Sequence, residues 1–208
     1  MQIVTTVDRM KYDIFRWRCE LSVPWKITLA IAFAVLTGLA AQLRFYLPFS
    51  PVPITGQTFA VLLTGVMLGR WWGGASMAIY ASMGFAGVPW FNGMTSGVTA
   101  TGGYIIGFIM AALFIGHLTD KYIRSRKMVN MLGLMLIANL GLIYIPGLIW
   151  LGFWMNTVSV EPVSIAALLA MGATPFIIGD VVKAILAAVT ARAITPGRAY
   201  NGELDAGK

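Results

Sequence analysis

Apolar stretches without charged residues constrain what this chain can fold into more than any other feature. One of them, Val129–Trp154, exceeds the about 20 residues with which a helix crosses the hydrocarbon core of a bilayer. Of the 208 residues, 58% are hydrophobic and only 11% are charged, whereas soluble domains usually carry about 25% charged residues. The sequence therefore predicts an all-α integral membrane protein.

The apolar stretches divide the chain into six predicted spans, which we expect to form a compact bundle of six transmembrane helices. The spans are Trp25–Leu47, Gln57–Gly69, Trp71–Val88, Tyr104–Leu118, Val129–Trp154 and Pro175–Ile194. This division gives an N-terminal segment (residues 1–24), a membrane domain (25–195) and a C-terminal tail (196–208). Charged residues run through the N-terminal segment, so we expect a polar tail there rather than a cleavable signal peptide.

Lysine and arginine residues are distributed unevenly between the two sides of this bundle. If both termini lie inside, the inner side holds Arg9, Lys11, Arg16, Arg18, Lys26, Arg70, Lys121, Arg124, Arg126, Lys127, Arg192, Arg198 and Lys208. The outer side then holds only Arg44, and Lys183 lies within the membrane. This asymmetry predicts a multi-pass protein of the cell membrane with both termini in the cytoplasm. Because the basic residues sit at span ends, the net charge of +7 does not indicate nucleic-acid binding.

Two uncharged loops are predicted on the outer side, Pro48–Gly56 and Pro89–Gly103. Each adjoins a span that is short for a hydrocarbon core of about 30 Å, namely Gln57–Gly69 and Tyr104–Leu118. Irregular backbone at membrane depth is tolerated only where protein or a water-filled cavity covers it. The loops are therefore predicted to dip inward and form a ligand-binding cavity, with solvated connectors as the alternative.

Local signals predict three smaller features. Gly102 and Gly103 are expected to allow a tight turn. The apolar stretch Ser164–Ala173 is too short to span the membrane and is expected to lie as an interfacial helix. Thr174 and Pro175 are then the predicted N-cap and first residue of the last span.

Two charged residues occur within the last apolar stretch. Asp180 and Lys183 are three residues apart, so on a helix they share one face. Leaving either ion in hydrocarbon costs at least about 2.5–3.5 kcal/mol. The pair is therefore expected either to form a salt bridge that locks the helix or to line a polar ligand site.

Four segments of the chain form a pattern that resembles a known family. They are Pro51-Val-Pro-Ile-Thr-Gly-Gln57, Gly87-Val-Pro-Trp-Phe-Asn-Gly93, Thr101-Gly-Gly-Tyr-Ile-Ile-Gly-Phe108 and Pro175-Phe-Ile-Ile-Gly-Asp-Val-Val-Lys183. They are similar to the BioY family, whose members are the biotin-binding S components of energy-coupling-factor (ECF) vitamin transporters. The resemblance implies six helices, cytoplasmic termini and biotin as the transported ligand.

The chemistry of biotin agrees with the residues in these segments. The predicted ligand-binding residues are Gln57, Trp90, Phe91, Asn92, Thr95, Tyr104, Asp180 and Lys183. A buried carboxylate such as Asp180 can accept the ureido N–H groups, and an amide such as Asn92 can both donate and accept. Lys183 supplies a positive charge for the biotin carboxylate or else balances Asp180. The aromatic residues are typical of small-ligand walls, although anchoring at the membrane rim is an equal alternative for each of them.

Small residues on the first span suggest a close-packing face. Ala30 and Ala34 form a small-xxx-small pattern, which lets helices approach closely in lipid. From spacing alone, packing within the bundle is an equal alternative, but the resemblance implies that Ala30 and Ala34 dock a transmembrane coupling subunit. The chain has no phosphate-binding loop, so an ATPase that drives uptake is expected in another chain, and the resemblance implies two such subunits.

Other functional classes find less support in the sequence. An S component for a different vitamin and a carrier that works alone remain alternatives to biotin capture. An intramembrane enzyme could use Asp180 and Lys183 as acid and base, but no nucleophile motif accompanies them. The single cysteine, Cys19, and the single histidine, His117, give no metal-ligand spacing. We therefore expect no catalytic residues, no metal and no cofactor.

Overall fold

The computed structural model describes residues 2–158, 163–199 and 202–205, and these residues are mostly helical. The helices are α1 (Gln2–Glu20), α2 (Val23–Gln42), α3 (Gln57–Phe85), α4 (Gly102–Lys121), α5 (Met128–Leu136), α6 (Tyr144–Val158), α7 (Ile165–Gly172) and α8 (Ile177–Ile194). A π-helical segment, Ile137–Ile143, joins α5 directly to α6. Short 3-10 turns cover Ile123–Arg126 and Thr174–Phe176.

Several of these helices are suited to a membrane. Within the described residues, four helical stretches are long and apolar enough to cross one, and they are Val23–Gln42, Gly102–Lys121, Met128–Val158 and Ile165–Ile194. The predicted all-α membrane class is thus confirmed at this level. The count of six crossings, in which α3 supplies two, stays a prediction.

A break within α3 separates the second and third predicted spans. Gly69 has a φ of 76°, a left-handed conformation that glycine adopts without the penalty of a Cβ atom. A Cβ at this position would lie 2.5 Å from a carboxylate oxygen of Asp120. The same oxygen accepts the backbone N–H of Arg70 at 2.9 Å. The break therefore lies at the predicted boundary, and the end of α4 holds it in place.

The fourth predicted span is longer than the sequence suggested. Helix α4 has 20 residues, so the interpretation of Tyr104–Leu118 as a short span was wrong. Gly102 and Gly103 are the first residues of α4, and the N–H of Gly102 closes a tight turn by donating to the carbonyl of Thr99 at 3.0 Å. A Cβ on Gly103 would clash with the carbonyl oxygen of Pro146, which shows that this glycine lets α4 and α6 pack closely.

The predictions for the segment before the last helix are confirmed only in part. The predicted short helix is present as α7, and the hydroxyl of Ser164 accepts the N–H of Ala167 at its start. The capping role predicted for Thr174 was wrong, because its hydroxyl donates to the carbonyl of Leu169 at 3.2 Å. A two-stranded ribbon, in which Arg44–Phe45 pairs antiparallel with Ile54–Thr55, was not predicted.

The N-terminal helix and the C-terminal tail lie at the same end of the bundle. The expected polar N-terminal tail is the helix α1, whose Lys11 ammonium donates to the carbonyl of Arg192 at the end of α8. From the C-terminal tail, Glu203 forms a buried ion pair with Arg126 at 2.7 Å. Residues 200–201 and 206–208 of that tail lie outside the described residues.

The small-residue pattern on α2 faces the interior. Ala30 and Ala34 are both fully buried, and the hydroxyl of Ser76 on α3 donates to the carbonyl of Ala30 at 2.7 Å. The docking face that we predicted on these residues is therefore not exposed, and close packing of α2 on α3 explains the pattern.

Candidate ligand site

A pocket opens at the end of the bundle opposite the chain termini, where α3, α4 and α8 begin. Its walls come from the loop before α3, from the first turns of α4, from α6 and from α8. Five of the eight predicted site residues line it, and they are Gln57, Asn92, Tyr104, Asp180 and Lys183. The structure thus brings together residues from all four segments of the sequence pattern.

The carboxylate of Asp180 makes polar contacts with three other side chains of this pocket. It is 3% exposed, and it forms an ion pair with Lys183 on its own helix. The hydroxyl of Thr58 donates to its Oδ1 at 3.1 Å, and the hydroxyl of Tyr144 donates to its Oδ2. A buried carboxylate is tolerated when such donors satisfy it, and these three neighbours together satisfy both oxygens of Asp180.

Lys183 connects this cluster to the loop before α3. Its ammonium donates to the carbonyl of Thr55 at 2.9 Å, while its side chain retains 17% exposure. The two sequence alternatives for Asp180 and Lys183 are therefore compatible, because the residues pair with each other and also line a pocket.

Gln57 and Tyr104 line the pocket with their polar groups already engaged. The Gln57 amide donates to the hydroxyl of Tyr80 at 2.7 Å and accepts from the hydroxyl of Thr55 at 2.9 Å. The hydroxyl of Tyr104 donates to the carbonyl of Gly172 at 2.7 Å. These contacts fix both side chains, and Tyr104 presents its ring as an apolar wall.

Asn92 is the loop residue that reaches the pocket. Its Oδ1 accepts a hydrogen bond from the hydroxyl of Tyr46 at 3.2 Å, which leaves the amide N–H groups available to a ligand. Thr95 does not line the pocket, and its hydroxyl donates to the backbone carbonyl of Asn92 at 2.8 Å. Thr95 therefore shapes the loop around Asn92 in this structure.

Trp90 and Phe91 anchor the same loop and do not line the pocket. The ring of Phe91 is fully buried and lies so close to Gly84 that a Cβ there would clash with it. The indole N–H of Trp90 donates to the carbonyl of Tyr80 at 3.0 Å. In this structure their aromatic rings hold the loop on α3, and ligand contact by either residue stays a prediction.

Sequence reasoning missed three polar residues around Asp180. Thr58 and Tyr144 donate to its carboxylate, and the side-chain amide of Asn139 donates to its backbone carbonyl at 3.4 Å. Asn139 lies in the π-helical segment, and such segments often mark functional sites. An isolated Asn inside a span is the signal that could have drawn attention to this region.

The chain is similar to several known proteins. Residues 15–199 match the model of the BioY family. The probable biotin transporter BioY of Methanothermobacter thermautotrophicus is 53% identical over 148 residues, which are 69% of this chain and 94% of that protein. The biotin transporter BioY of Thermotoga maritima is 33% identical over 155 residues, 70% of this chain and 82% of that protein. A crystal structure of the S component for biotin from an ECF-type ABC transporter superposes with a TM-score of 0.70 and 25% identity, covering 83% of this chain and 93% of the other.

Proposed function

The chain belongs to the BioY family, and we propose that it is the substrate-capturing subunit of a biotin uptake transporter. In this role it binds biotin with high affinity at the outer face of the cell membrane and delivers it through an ATP-driven complex. The observation that carries the proposal is the cluster of Asp180 and Lys183 with two hydroxyl donors, located where the uncharged loops converge.

The cluster offers complementary partners for biotin. The carboxylate of Asp180 accepts ureido N–H groups, and the amide of Asn92 donates to the ureido carbonyl. The ring of Tyr104 supplies an apolar wall for the thiophane ring. Lys183 either balances Asp180 or binds the biotin carboxylate, and the ion pair supports the first role without excluding the second.

The pocket is small, with a volume of about 50 Å³, whereas sites for small ligands usually measure about 300–1,000 Å³. Biotin therefore requires the loop before α3 to move outward. The hydrogen bond from Lys183 to the carbonyl of Thr55 holds this loop against α8, and outward movement of the loop would break it. We therefore assign the carbonyl of Thr55 as the contact that is released when the loop before α3 opens.

Energy coupling is proposed to come from other chains. We place six crossings in the membrane, with both termini in the cytoplasm, and we expect a transmembrane coupling subunit with two ATPase subunits as partners. The S component of known structure comes from an ECF-type ABC transporter, which supports partners of this kind.

Calorimetric titration of the purified chain with biotin tests the substrate directly. We expect saturable binding by the chain alone, and binding weaker by at least about 1–3 kcal/mol after substitution of Asp180 by alanine, which leaves Lys183 without its carboxylate. Dethiobiotin and an unrelated vitamin such as riboflavin serve as comparison ligands in the same titration. Absence of heat with biotin, together with binding of the unrelated vitamin, would assign the chain to a different substrate.

A further inference from the structure

We propose that a second site, at the end of the bundle that carries both termini, binds the phosphate of an anionic membrane lipid. A cavity of about 210 Å³ lies where α1, the start of α2, the Gly69 break and the end of α4 meet. Its charged lining residues are Arg18, Lys26, Arg70 and Asp120. Three cations thus face one anion, which leaves an excess of positive charge in the cavity.

The excess charge belongs to Lys26 and Arg70. Arg18 is neutralised by Asp120, because their side chains form an ion pair at 2.5 Å. Among the described residues, no carboxylate lies within 4.0 Å of the Lys26 ammonium or the Arg70 guanidinium. Two unneutralised cations around one cavity are the arrangement that binds a phosphate group.

Both cations keep donors for a ligand. The Lys26 ammonium donates once, to the carbonyl of Cys19 at 3.0 Å, and an ammonium has three N–H groups. The Arg70 guanidinium lies 4.4 Å from the ring centre of Trp71 and contacts His117 through one nitrogen at 3.5 Å. Since a guanidinium has five N–H groups, most of them remain free to bind phosphate oxygens.

The position of the cavity indicates a lipid as the source of the phosphate. Lys26 lies in the first turn of α2, which is one of the stretches that can cross a membrane. Trp25 and Trp71 are 62% and 69% exposed beside it, and exposed tryptophans are typical of the membrane interface. Basic pockets between transmembrane helices bind anionic headgroups on the cytoplasmic side of the membrane, which is where we place this end of the bundle. The site lies apart from the biotin pocket and does not depend on the proposed substrate.

Lipid titration of the purified full-length chain tests this site. We expect phosphatidylglycerol to bind stoichiometrically in native mass spectrometry, and phosphatidylcholine to bind more weakly. The double variant Lys26→Gln/Arg70→Gln should bind phosphatidylglycerol at least about tenfold more weakly, because the phosphate loses both unneutralised cations that line the cavity. The matched control, Arg124→Gln/Lys127→Gln, removes two exposed charges at the same end but outside the cavity and should keep wild-type affinity.

Biotin titration of each variant reports whether the fold is intact, since neither cation lines the biotin pocket. An equal loss of lipid affinity in the control would show that diffuse charge attracts the lipid, and this result would overturn the site. Unchanged affinity in the double variant would overturn it as well. Displacement of phosphatidylglycerol by millimolar inorganic phosphate would identify a site for free phosphate and would refute the lipid assignment.

Discussion

The Asp180 cluster shows how a membrane protein keeps charged side chains in an apolar helix. Pairing with Lys183 reduces the cost of two ions, and the hydroxyls of Thr58 and Tyr144 satisfy the remaining acceptor positions. Removing one partner from such a cluster leaves a buried charge unpaired. The resulting loss of stability exceeds the net stabilisation that the ion pair contributes. The cluster therefore holds α8 against its neighbours, and we propose that it also prepares a carboxylate for the ligand.

Single and double substitutions separate these two roles. Asp180→Asn and Lys183→Met should each weaken biotin binding by about 1–3 kcal/mol, because a charged group loses its partner. The double variant should recover only part of this loss if the residues also contact biotin. Calorimetric titration of the three variants measures the recovery, and full recovery would mean that the pair is purely structural. The matched control is Thr190→Ala, at an exposed position of the same helix, which should leave binding unchanged.

Tyr144 is tested by a separate substitution because its role was not visible in the sequence. Tyr144→Phe removes the hydroxyl that donates to Asp180 and leaves the ring in place. We expect biotin affinity to fall by about 1–3 kcal/mol, since a buried carboxylate loses a donor. Calorimetry measures the effect, and Tyr122→Phe, outside the pocket, is the control. Equal affinity for Tyr144→Phe and wild type would exclude a contribution of this hydroxyl.

The residues of the site were predictable to different degrees. Asp180 and Lys183 could be found because ionisable residues are rare and costly in apolar helices. Tyr144 could not, because uncharged polar residues occur widely in spans and its orientation depends on the π-helical segment before it. The π-helical segment rotates the side chains that follow it away from the positions that a regular α-helix would give them.

At the scale of elements, the break in α3 controls how two helical segments meet. The sequence predicted a boundary at Gly69 because the apolar stretches end there, and the structure confirms the break. The sequence did not predict that Asp120, far along the chain, would occupy the space beside it. The length of α4 was misjudged for a related reason, because its glycines serve a close helix contact that only the packed bundle reveals.

Substitution of Gly69 tests whether this break is required. Gly69→Ala should lower the free energy of unfolding by at least about 1–2 kcal/mol, because a Cβ is unfavourable at positive φ and would clash with Asp120. Gly133→Ala is the matched control, since no atom lies within 4 Å of its added Cβ and alanine favours a helix. Thermal unfolding in detergent measures both variants. Equal midpoints would contradict a structural requirement for glycine at the break.

At the scale of the whole molecule, the burial of Ala30 and Ala34 where α2 packs on α3 favours packing within the bundle over the docking role that the family resemblance implies. Ala30→Trp should destabilise the chain by about 1–3 kcal/mol or more, because it overpacks a fully buried position, and biotin binding should fall with it. Ala32→Trp, at an exposed position of the same helix, should be tolerated. Thermal unfolding and biotin titration of both variants measure this difference. A stable Ala30→Trp variant that binds biotin but no coupling subunit would restore the docking interpretation.

The C-terminal tail closes the end of the bundle through a buried ion pair. Arg126 and Glu203 are 2% and 5% exposed, and the Arg126 guanidinium also donates to the carbonyls of Thr119 and Arg198. Glu203→Gln removes the charge that balances Arg126, so we expect a loss of about 3–5 kcal/mol in the free energy of unfolding. Replacement of both residues by methionine should recover much of this loss, because no buried charge then remains unpaired.

An exposed ion pair on α1, between Arg16 and Glu20, provides the control for this buried one. Glu20→Gln should cost at most about 1 kcal/mol, because solvent screens both charges of the exposed pair. Thermal unfolding of Glu203→Gln, the double methionine variant and Glu20→Gln decides whether the tail is part of the folded bundle. Since the penalty for an unpaired charge depends on its burial, equal midpoints for Glu203→Gln and Glu20→Gln would show that the tail does not stabilise the bundle.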